Sequence, residues 1–397
     1  MKPGSICLKM NKRNLAIDMF RGLTMLLMVF VNEFWKVFNV PHWLEHFATM
    51  EDGMGLSDIV FPMFLFAMGM SIPYALERRR ENGYSTESTL KHIFSRTLAL
   101  LVMGAFICNQ ESREMTGNRG LWVLLMVVGF FLTWNQYPKD WKPARWLKLS
   151  GVILLIVLAL CFRSTDGGLF QGLWWGILGQ IGWMYLFCAM VWLLCRERRW
   201  IIQLIWVGVC LVNLSVIPMR DGSQLVGPNI LADFANALQL GKCYGPIMGL
   251  GGVLLTVADW KLSDRPSGQR IGLGIAAAAV LAILGMAVHT GWIISKNLGT
   301  LPWCLFVCAI SVALYTLLRY MEKRGWTGWF KPLVPAGTAT LTVYMIPYLF
   351  VALWIFVNPT IPQWLTGWMG VGKCAFMAAV YIACAWGLTK AGIKLKI

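Results

Sequence analysis

The chain has 397 residues, of which 57% are hydrophobic and 14% are charged. Soluble globular domains carry about 25% charged residues, so this composition excludes a soluble protein and indicates one that spans a membrane many times. The net charge of +16 would also suit a nucleic-acid partner. The basic residues follow a membrane topology instead, and we expect no nucleic acid to bind.

Long apolar segments recur along the whole chain, with no polar stretch between them that is long enough for a second domain. We predict an all-α, polytopic transmembrane helix bundle of about 12 spans, in the range 10–12, as one integral-membrane domain over residues 1–397. The predicted spans are 15–38, 56–77, 91–109, 119–135, 148–163, 172–195, 200–218, 235–259, 271–292, 300–320, 335–357 and 368–391.

The distribution of basic residues predicts the orientation of the bundle. With the N-terminus inside, about 27 of the 35 Lys and Arg residues fall on the cytoplasmic side, whereas the acidic residues divide almost evenly. Both termini are therefore expected to be cytoplasmic. The first span is too long for the core of a signal peptide, so we expect it to be retained. The cysteines and histidines show no spacing typical of a metal site, and no metal is expected.

A polar cluster lies between the first two spans. His42 and His46 are in the loop, Asn32 ends the first span and Asp58 begins the second, so all four should lie near the outer face. Ionisable groups close to the membrane are costly, which makes this cluster a candidate catalytic site. A histidine can act as a general base, an asparagine can polarise a carbonyl, and an aspartate can fix the histidine tautomer. The alternatives are that the histidines are ordinary loop residues and that Asp58 caps the second helix.

Two further groups of polar residues lie near the ends of predicted spans. Asp18 and Arg21 are three positions apart at the start of the first span, where they can form an anchoring ion pair. Alternatively, Arg21 could bind the phosphates of an anionic cofactor. His289 and Lys296 lie on the outer side and are candidate substrate-binding residues, of which Lys296 could bind a sugar. The acidic loop residue Glu45, a further candidate, would favour an amine-bearing partner.

Six segments of the chain carry recognisable motifs: AIDMFRGLTMLLMVFVN, the histidine-containing loop, SDIVFPMFLFAMGMSI, GILGQIGWMYLF, ISKNLGTLPW and GTATLTVYMIPYLF. Together they resemble the motifs of the heparan-α-glucosaminide N-acetyltransferase family. The resemblance runs from residue 15 to about residue 350 and is densest in the first 75 residues.

This resemblance implies transfer of an acetyl group from cytosolic acetyl-CoA to an amino sugar or glycan on the opposite side of the membrane. It implies that His46 is the catalytic base or a transient acyl carrier, with Asn32 and Asp58 as its neighbours. Lys296 and Asn297 carry over as substrate-binding residues. The loop around His46 is longer and more acidic than the family pattern, so His42 stays open as the catalytic histidine.

The chain also departs from the family at several places. Ala339 and Pro347 stand where the family has an asparagine and a histidine. The family commonly has about ten spans, so residues 119–163 are expected to be an inserted helical hairpin. Membrane lipids and a homodimer are the expected partners besides the acceptor. Because eukaryotic targeting and a luminal extension are missing from the sequence, we expect a bacterial inner membrane.

The competing interpretation is a multi-span transporter or flippase for a sugar or a lipid-linked glycan. Twelve spans with both termini inside is a common transporter layout. However, transporter folds usually contain internal repeats, and residues 1–200 show no convincing similarity to residues 201–397.

Overall fold

The structure is a computed structural model that describes residues 14–138, 140–225, 233, 241–357, 362 and 365–397. The predicted start of the eighth span at residue 235 and the basic residues that precede residue 14 lie outside this part of the chain. The described residues form α1 (Leu15–Val31), α2 (Leu56–Glu81), α3 (Thr86–Ser112), α4 (Arg119–Trp134), α5 (Pro143–Cys161), α6 (Ile177–Cys195), α7 (Arg199–Val216), α8 (Tyr244–Lys261), α9 (Ser267–His289), α10 (Leu301–Arg324), α11 (Val334–Thr338), α12 (Thr340–Val357) and α13 (Gly367–Lys390).

The predicted class, an all-α transmembrane bundle, is confirmed. Within the described residues, ten helices are long and apolar enough to cross a membrane by length and composition, which is the lower end of the predicted range. Helix α4 is apolar but shorter, and α8 is not among the ten. The chain is thus an integral, multi-pass membrane protein. Its orientation and the exact number of spans stay predictions.

The bundle has a buried centre and an apolar rim. In the most apolar 18-residue stretch of α2, 72% of the residues are buried, and the corresponding values for α10 and α6 are 67% and 61%. The corresponding value for α9 is 6%, because this helix packs almost entirely against α10. Helices α5 and α7 are also peripheral, so their apolar faces are available to lipid.

Residues 119–163 do form a helical hairpin, in which α4 packs against α5. Helix α4 also packs against α12, where Gly120 approaches the carbonyl oxygen of Ala352. The ring of Trp122 on α4 stacks on Phe106 of α3, with 5.7 Å between the ring centroids. The hairpin is therefore built into the wall of the bundle. That it is an insertion, and that residues 1–397 form one domain, stay predictions.

The closest helix contact in the centre joins α2 and α8 through glycines. A Cβ atom on Gly69 would collide with the backbone of Gly249, and one on Gly252 would collide with the carbonyl oxygen of Phe66. Small residues let the backbones of membrane helices approach each other in this way. The hydroxyl of Thr256 also donates to the carbonyl oxygen of Met70, over 3.0 Å.

We predict that Gly69→Ala lowers the thermal stability of the protein in detergent. The added methyl group forces α2 and α8 apart, and such overpacking costs about 1–3 kcal/mol. The matched control is Gly208→Ala on α7, where an added Cβ meets no atom within 4 Å. An alanine there should be neutral or slightly stabilising, since helical Gly→Ala gains about 0.5–1 kcal/mol. Equal melting temperatures for the two variants would contradict this description of the centre.

Candidate functional site

His46 is held by a buried carboxylate at the start of α2. Its Nδ1 lies 2.7 Å from Oδ1 of Asp58, whose side chain is 1% exposed, whereas the His46 side chain is 51% exposed. The other oxygen of Asp58, Oδ2, accepts hydrogen bonds from the backbone N–H groups of Phe47 and Gly55, at 3.1 and 3.0 Å. An ionised carboxylate can only accept, so Nδ1 of His46 carries the proton and Nε2 keeps its lone pair.

The suggestion that Asp58 caps α2 is wrong in its position, because the N-cap residue is Gly55 and Asp58 occupies the third helical position. Its carboxylate receives the Gly55 N–H as the acidic residue of a capping box does, and it orients His46 with its other oxygen. A side chain at residue 55 would collide with the carbonyl oxygen of Glu45, so glycine is required there. One carboxylate therefore fixes both the loop and the histidine.

Lys296 reaches the same histidine from the segment between α9 and α10. Its Nζ lies 3.1 Å from Nδ1 and 3.4 Å from Nε2 of His46. Burial lowers the pKa of Lys296, and the Asp58 carboxylate opposes this shift. The neighbouring Asn297 donates from Nδ2 to the carbonyl oxygen of Phe47, over 3.1 Å. Two segments that are distant in sequence thus meet at His46.

Asp52 joins these two segments a short distance away. Its carboxylate contacts Arg220 at 2.7 Å and Nε2 of His289 at 2.9 Å, and it accepts from the backbone N–H of Ile294 at 2.8 Å. These hydrogen bonds together outweigh the desolvation of Asp52 and hold its pKa below the ordinary value. His289 therefore helps to join the loop before α2 to the segment between α9 and α10 through Asp52. Its role in binding substrate stays a prediction.

His42 and Glu45 lie on the outer surface of the same loop. The His42 side chain is 60% exposed, stacks on the ring of Phe47 and contacts Glu51 at 2.6 Å. A hydrogen bond from the Ala48 backbone and the contact with His42 lower the pKa of Glu51, whose side chain is 38% exposed. Glu45 is half-buried beside this turn. Since only His46 of the two loop histidines meets a buried carboxylate, the geometry favours His46 for chemistry.

A large cavity opens beside Lys296, and we call it the Lys296 cavity. Its volume is about 860 Å³, and Asn32, Lys296 and Asn297 all line it. Asn32 is exposed at the end of α1, so it faces the same space as the two residues from the distant segment. Further polar and aromatic residues of this wall are Glu33, Gln110, Glu111, Arg119, Trp175, Gln180 and Tyr348.

A second cavity, of about 350 Å³, extends from the opposite end of the bundle, and we call it the Arg21 cavity. Four basic residues line it: Arg21, Arg96, Lys394 and Lys396. Its described lining contains no Asp or Glu side chain. The deeper walls are apolar and include Met28, Phe64, Met68, Leu100, Leu178 and Ile181. The charge and shape suit an elongated ligand with an anionic head and a less polar arm.

Each arginine of the Arg21 cavity makes a contact with a side chain of a neighbouring helix. The Arg21 guanidinium donates to the hydroxyl of Thr340 at 3.3 Å. The Arg96 guanidinium lies over the ring of Tyr185, 4.6 Å from its centroid. Asp18, one turn earlier on α1 than Arg21, is half-buried where α1 meets α11 and lies outside the described lining of this cavity.

The segment 392–397 supplies the two lysines of the Arg21 cavity. It runs beside the end of α4, where the Gln136 N–H donates to the Lys394 carbonyl and the Lys396 N–H donates to the Trp134 carbonyl, both at 2.9 Å. The Leu395 N–H donates to the hydroxyl of Thr342, also at 2.9 Å. These bonds fix the backbone and direct Lys394 and Lys396 to the cavity.

The two cavities meet in the middle of the bundle. Ile177 and Tyr344 line both of them, so these side chains form the wall between the two spaces. The Tyr344 hydroxyl lies 3.3 Å from the Tyr348 hydroxyl, which donates to Glu111 at 2.9 Å. Residues 21 to 32 of α1 run from one cavity to the other, a rise of about 16 Å at 1.5 Å per residue.

Sequence reasoning identified Arg21, Asn32, His46, Asp58, Lys296 and Asn297, and the structure distributes these residues between the two ends of one path. It missed Arg96, Glu111, Arg119 and the cavity-lining role of Lys394 and Lys396. A signal for Arg96 was present, since a basic residue inside a predicted span is a functional candidate by default. Among the described residues, no group of three or more His, Cys, Asp or Glu could hold a metal ion.

Comparison with known proteins confirms the resemblance as a distant one. Heparan-alpha-glucosaminide N-acetyltransferase from Mus musculus is 35% identical over 98 residues, and that from Homo sapiens is 34% identical over 98 residues. Each match covers 24% of this chain but only 14% and 13% of the respective relative. A family model described as a domain of unknown function, DUF5009, matches residues 13–244. Because this match spans more than half of the chain, the protein belongs to the DUF5009 family.

Proposed function

We propose that this protein is a membrane acyltransferase that moves an acetyl group from cytosolic acetyl-CoA to an amino sugar or glycan on the other side of the membrane. The observation that carries the proposal is the pair of cavities that share the Ile177 and Tyr344 wall. One is lined by four cations and by no Asp or Glu side chain among its described residues, and the other contains Lys296, which contacts His46. The local similarity to two N-acetyltransferases supports the same class of reaction.

The Arg21 cavity fits the donor. The phosphates of acetyl-CoA carry several negative charges, and Arg21, Arg96, Lys394 and Lys396 would bind them with charge-assisted hydrogen bonds. The pantetheine arm would follow the apolar wall towards Tyr344. Arg78, Arg79 and Arg80 end α2 near the same end of the bundle, so the positive-inside rule places this end in the cytoplasm. The bilayer would then be the bacterial inner membrane.

At the other end, Nε2 of His46 is the base in the one-step route. The acceptor nitrogen or oxygen attacks the thioester carbon while its proton passes to Nε2, and the carbon–sulfur bond breaks. The imidazolium then returns this proton to the departing sulfur. Asp58 holds the Nδ1 proton and stabilises the imidazolium while it exists. Asn32 and Lys296 can donate to the developing oxyanion.

A two-step route uses the same residues. Nε2 of His46 attacks the thioester carbon, the thiolate leaves, and an acetylated imidazole remains. The acceptor then attacks this acetyl group, releases its proton to solvent and restores the neutral imidazole. Ping-pong kinetics and a trapped acetyl-His46 would identify the two-step route, whereas sequential kinetics without a labelled enzyme would identify direct transfer.

We predict that His46→Ala lowers kcat for acetyl transfer by about 10²–10⁴-fold, because positioned general bases contribute that much. Asp58→Asn should also lower kcat, since the amide can donate to Nδ1 of His46 and so favour the tautomer that carries its proton on Nε2. The measurement uses radiolabelled acetyl-CoA and a panel of amino sugars with the purified protein in detergent. The matched control is His42→Ala, which changes a histidine of the same loop that has no buried partner.

The same assay tests the proposed function as a whole. Transfer by the wild type, loss in His46→Ala and retention in His42→Ala would support it. A wild type that neither binds acetyl-CoA nor labels any sugar would refute it. Sugar uptake into vesicles without acetyl transfer would instead support the transporter interpretation.

A separate prediction concerns the donor cavity. Removing two cations in the double variant Arg96→Ala/Lys396→Ala should raise KM for acetyl-CoA by about 100-fold or more, because each lost hydrogen bond to a charged group costs about 1.5–3 kcal/mol and about 1.4 kcal/mol corresponds to a factor of ten. KM for the acceptor should stay close to that of the wild type. The control is Arg145→Ala, which removes an exposed cation outside the described lining. An unchanged KM for acetyl-CoA would place the phosphates elsewhere.

A further inference from the structure

A smaller cavity lies next to the Lys296 cavity, at the side of the bundle. This cavity of about 290 Å³, which we call the side cavity, lies between α12 and α13. Glu33, Trp35 and Val351 line both this space and the Lys296 cavity. The two spaces are thus separated by no more than these three residues. Helices α12 and α13 also contact each other less than the hairpin pairs do, which leaves room for the side cavity.

The side cavity is apolar where it faces the bilayer. Its outer walls are formed by Phe350, Leu353, Trp354, Val357 and Met377. Leu353 is 55% exposed and Val357 is 72% exposed, so both face the hydrocarbon region when the bundle is in a membrane. An alkyl or isoprenoid chain would be well solvated along these walls.

The inner end of the side cavity is polar. Glu33 is 8% exposed and accepts hydrogen bonds from Nζ of Lys373, at 2.7 Å, and from the hydroxyl of Tyr381. The Lys373 side chain is 28% exposed, so its ammonium can contact Glu33 and a second anion together. A cation behind an apolar entrance matches the junction between the phosphate and the hydrocarbon chain of a lipid.

We propose that the acceptor is a lipid-linked amino sugar that enters sideways from the outer leaflet through the side cavity. This inference rests on the proposed acetyl transfer and specifies its acceptor. The hydrocarbon chain stays between α12 and α13, the phosphate lies near Lys373, and the sugar passes Trp35 into the Lys296 cavity. A lipid anchor thereby keeps the sugar close to His46 without adding contacts at the reacting atoms.

The experiment compares two acceptors with one headgroup, using the full chain in lipid nanodiscs. One acceptor is free glucosamine, and the other is glucosamine joined by a phosphodiester to a long isoprenoid chain. For the wild type, KM for the lipid-linked acceptor should be lower than KM for free glucosamine by about tenfold or more, with both expressed as bulk concentrations. A tenfold difference corresponds to about 1.4 kcal/mol. Similar KM values for both acceptors would overturn the inference.

Two variants narrow the side cavity with a larger side chain. Leu353→Trp and Met377→Trp should each raise KM for the lipid-linked acceptor by about tenfold. Both tryptophan variants should leave the kinetics with free glucosamine unchanged, since we expect that acceptor to enter the Lys296 cavity directly from the outer aqueous side. The matched control is Leu211→Trp on α7, a leucine that is 60% exposed but remote from the side cavity.

The outcomes separate the two proposals. Transfer to free glucosamine with no preference for the lipid-linked acceptor, and no effect of the tryptophans, would show that the side cavity only holds bilayer lipid. That result would overturn this inference and leave the acetyltransferase proposal intact. No transfer to either acceptor, with acetyl-CoA present, would refute both proposals together.

Discussion

The buried carboxylate of Asp58 is the constraint on which the rest of the site depends. A carboxylate that is 1% exposed needs hydrogen-bond donors to offset its burial, and here the donors are two backbone N–H groups and the ring of His46. Those donors come from the loop that precedes α2, so the loop can only adopt a conformation that brings His46 to the end of the helix. Removing the carboxylate would leave the buried N–H groups without partners as well as releasing the histidine. The same carboxylate accepts the N–H of the N-cap residue and contacts His46, so the capping and tautomer interpretations concern one group.

The bundle separates two chemical problems by distance. Binding of an anionic ligand requires several cations, and these would repel a protonated histidine and a cationic acceptor if they were nearby. The cations line the Arg21 cavity, whereas the His46–Asp58 pair contacts Lys296 on the wall of the other cavity, and Ile177 and Tyr344 lie between the two spaces. A ligand long enough to pass Tyr344 would connect the two ends. The positions of the charges thus favour a ligand that reaches both cavities at once over a ligand that leaves one cavity before it enters the other.

The sequence predicts those parts of the molecule that depend on local pattern. Hydropathy predicts the helical class and the apolar spans. The short loop between α1 and α2 predicts that His46 lies near Asp58. Arg96 and Lys396 are far apart in the chain, and they share a cavity only because the segment 392–397 pairs with the end of α4. The contact of Lys296 with His46 likewise depends on how two loops pack, although the family motif marked both residues. The number of spans stays a prediction, since α4 is shorter than the ten helices that are long and apolar enough to cross a membrane and α8 is not among them.

The glycine contact between α2 and α8 determines which motions remain available to the centre of the bundle. Two helices whose backbones touch cannot slide or rotate past each other without separating first, because no flexible side chains lie between them. Rocking of one half of the bundle against the other, which takes microseconds to milliseconds, would have to break this contact. Rotation of the single side chain of Tyr344 needs no helix to move. A ligand that bridges the two cavities would therefore need side chains of the shared wall to rotate, and it would not need α2 and α8 to separate.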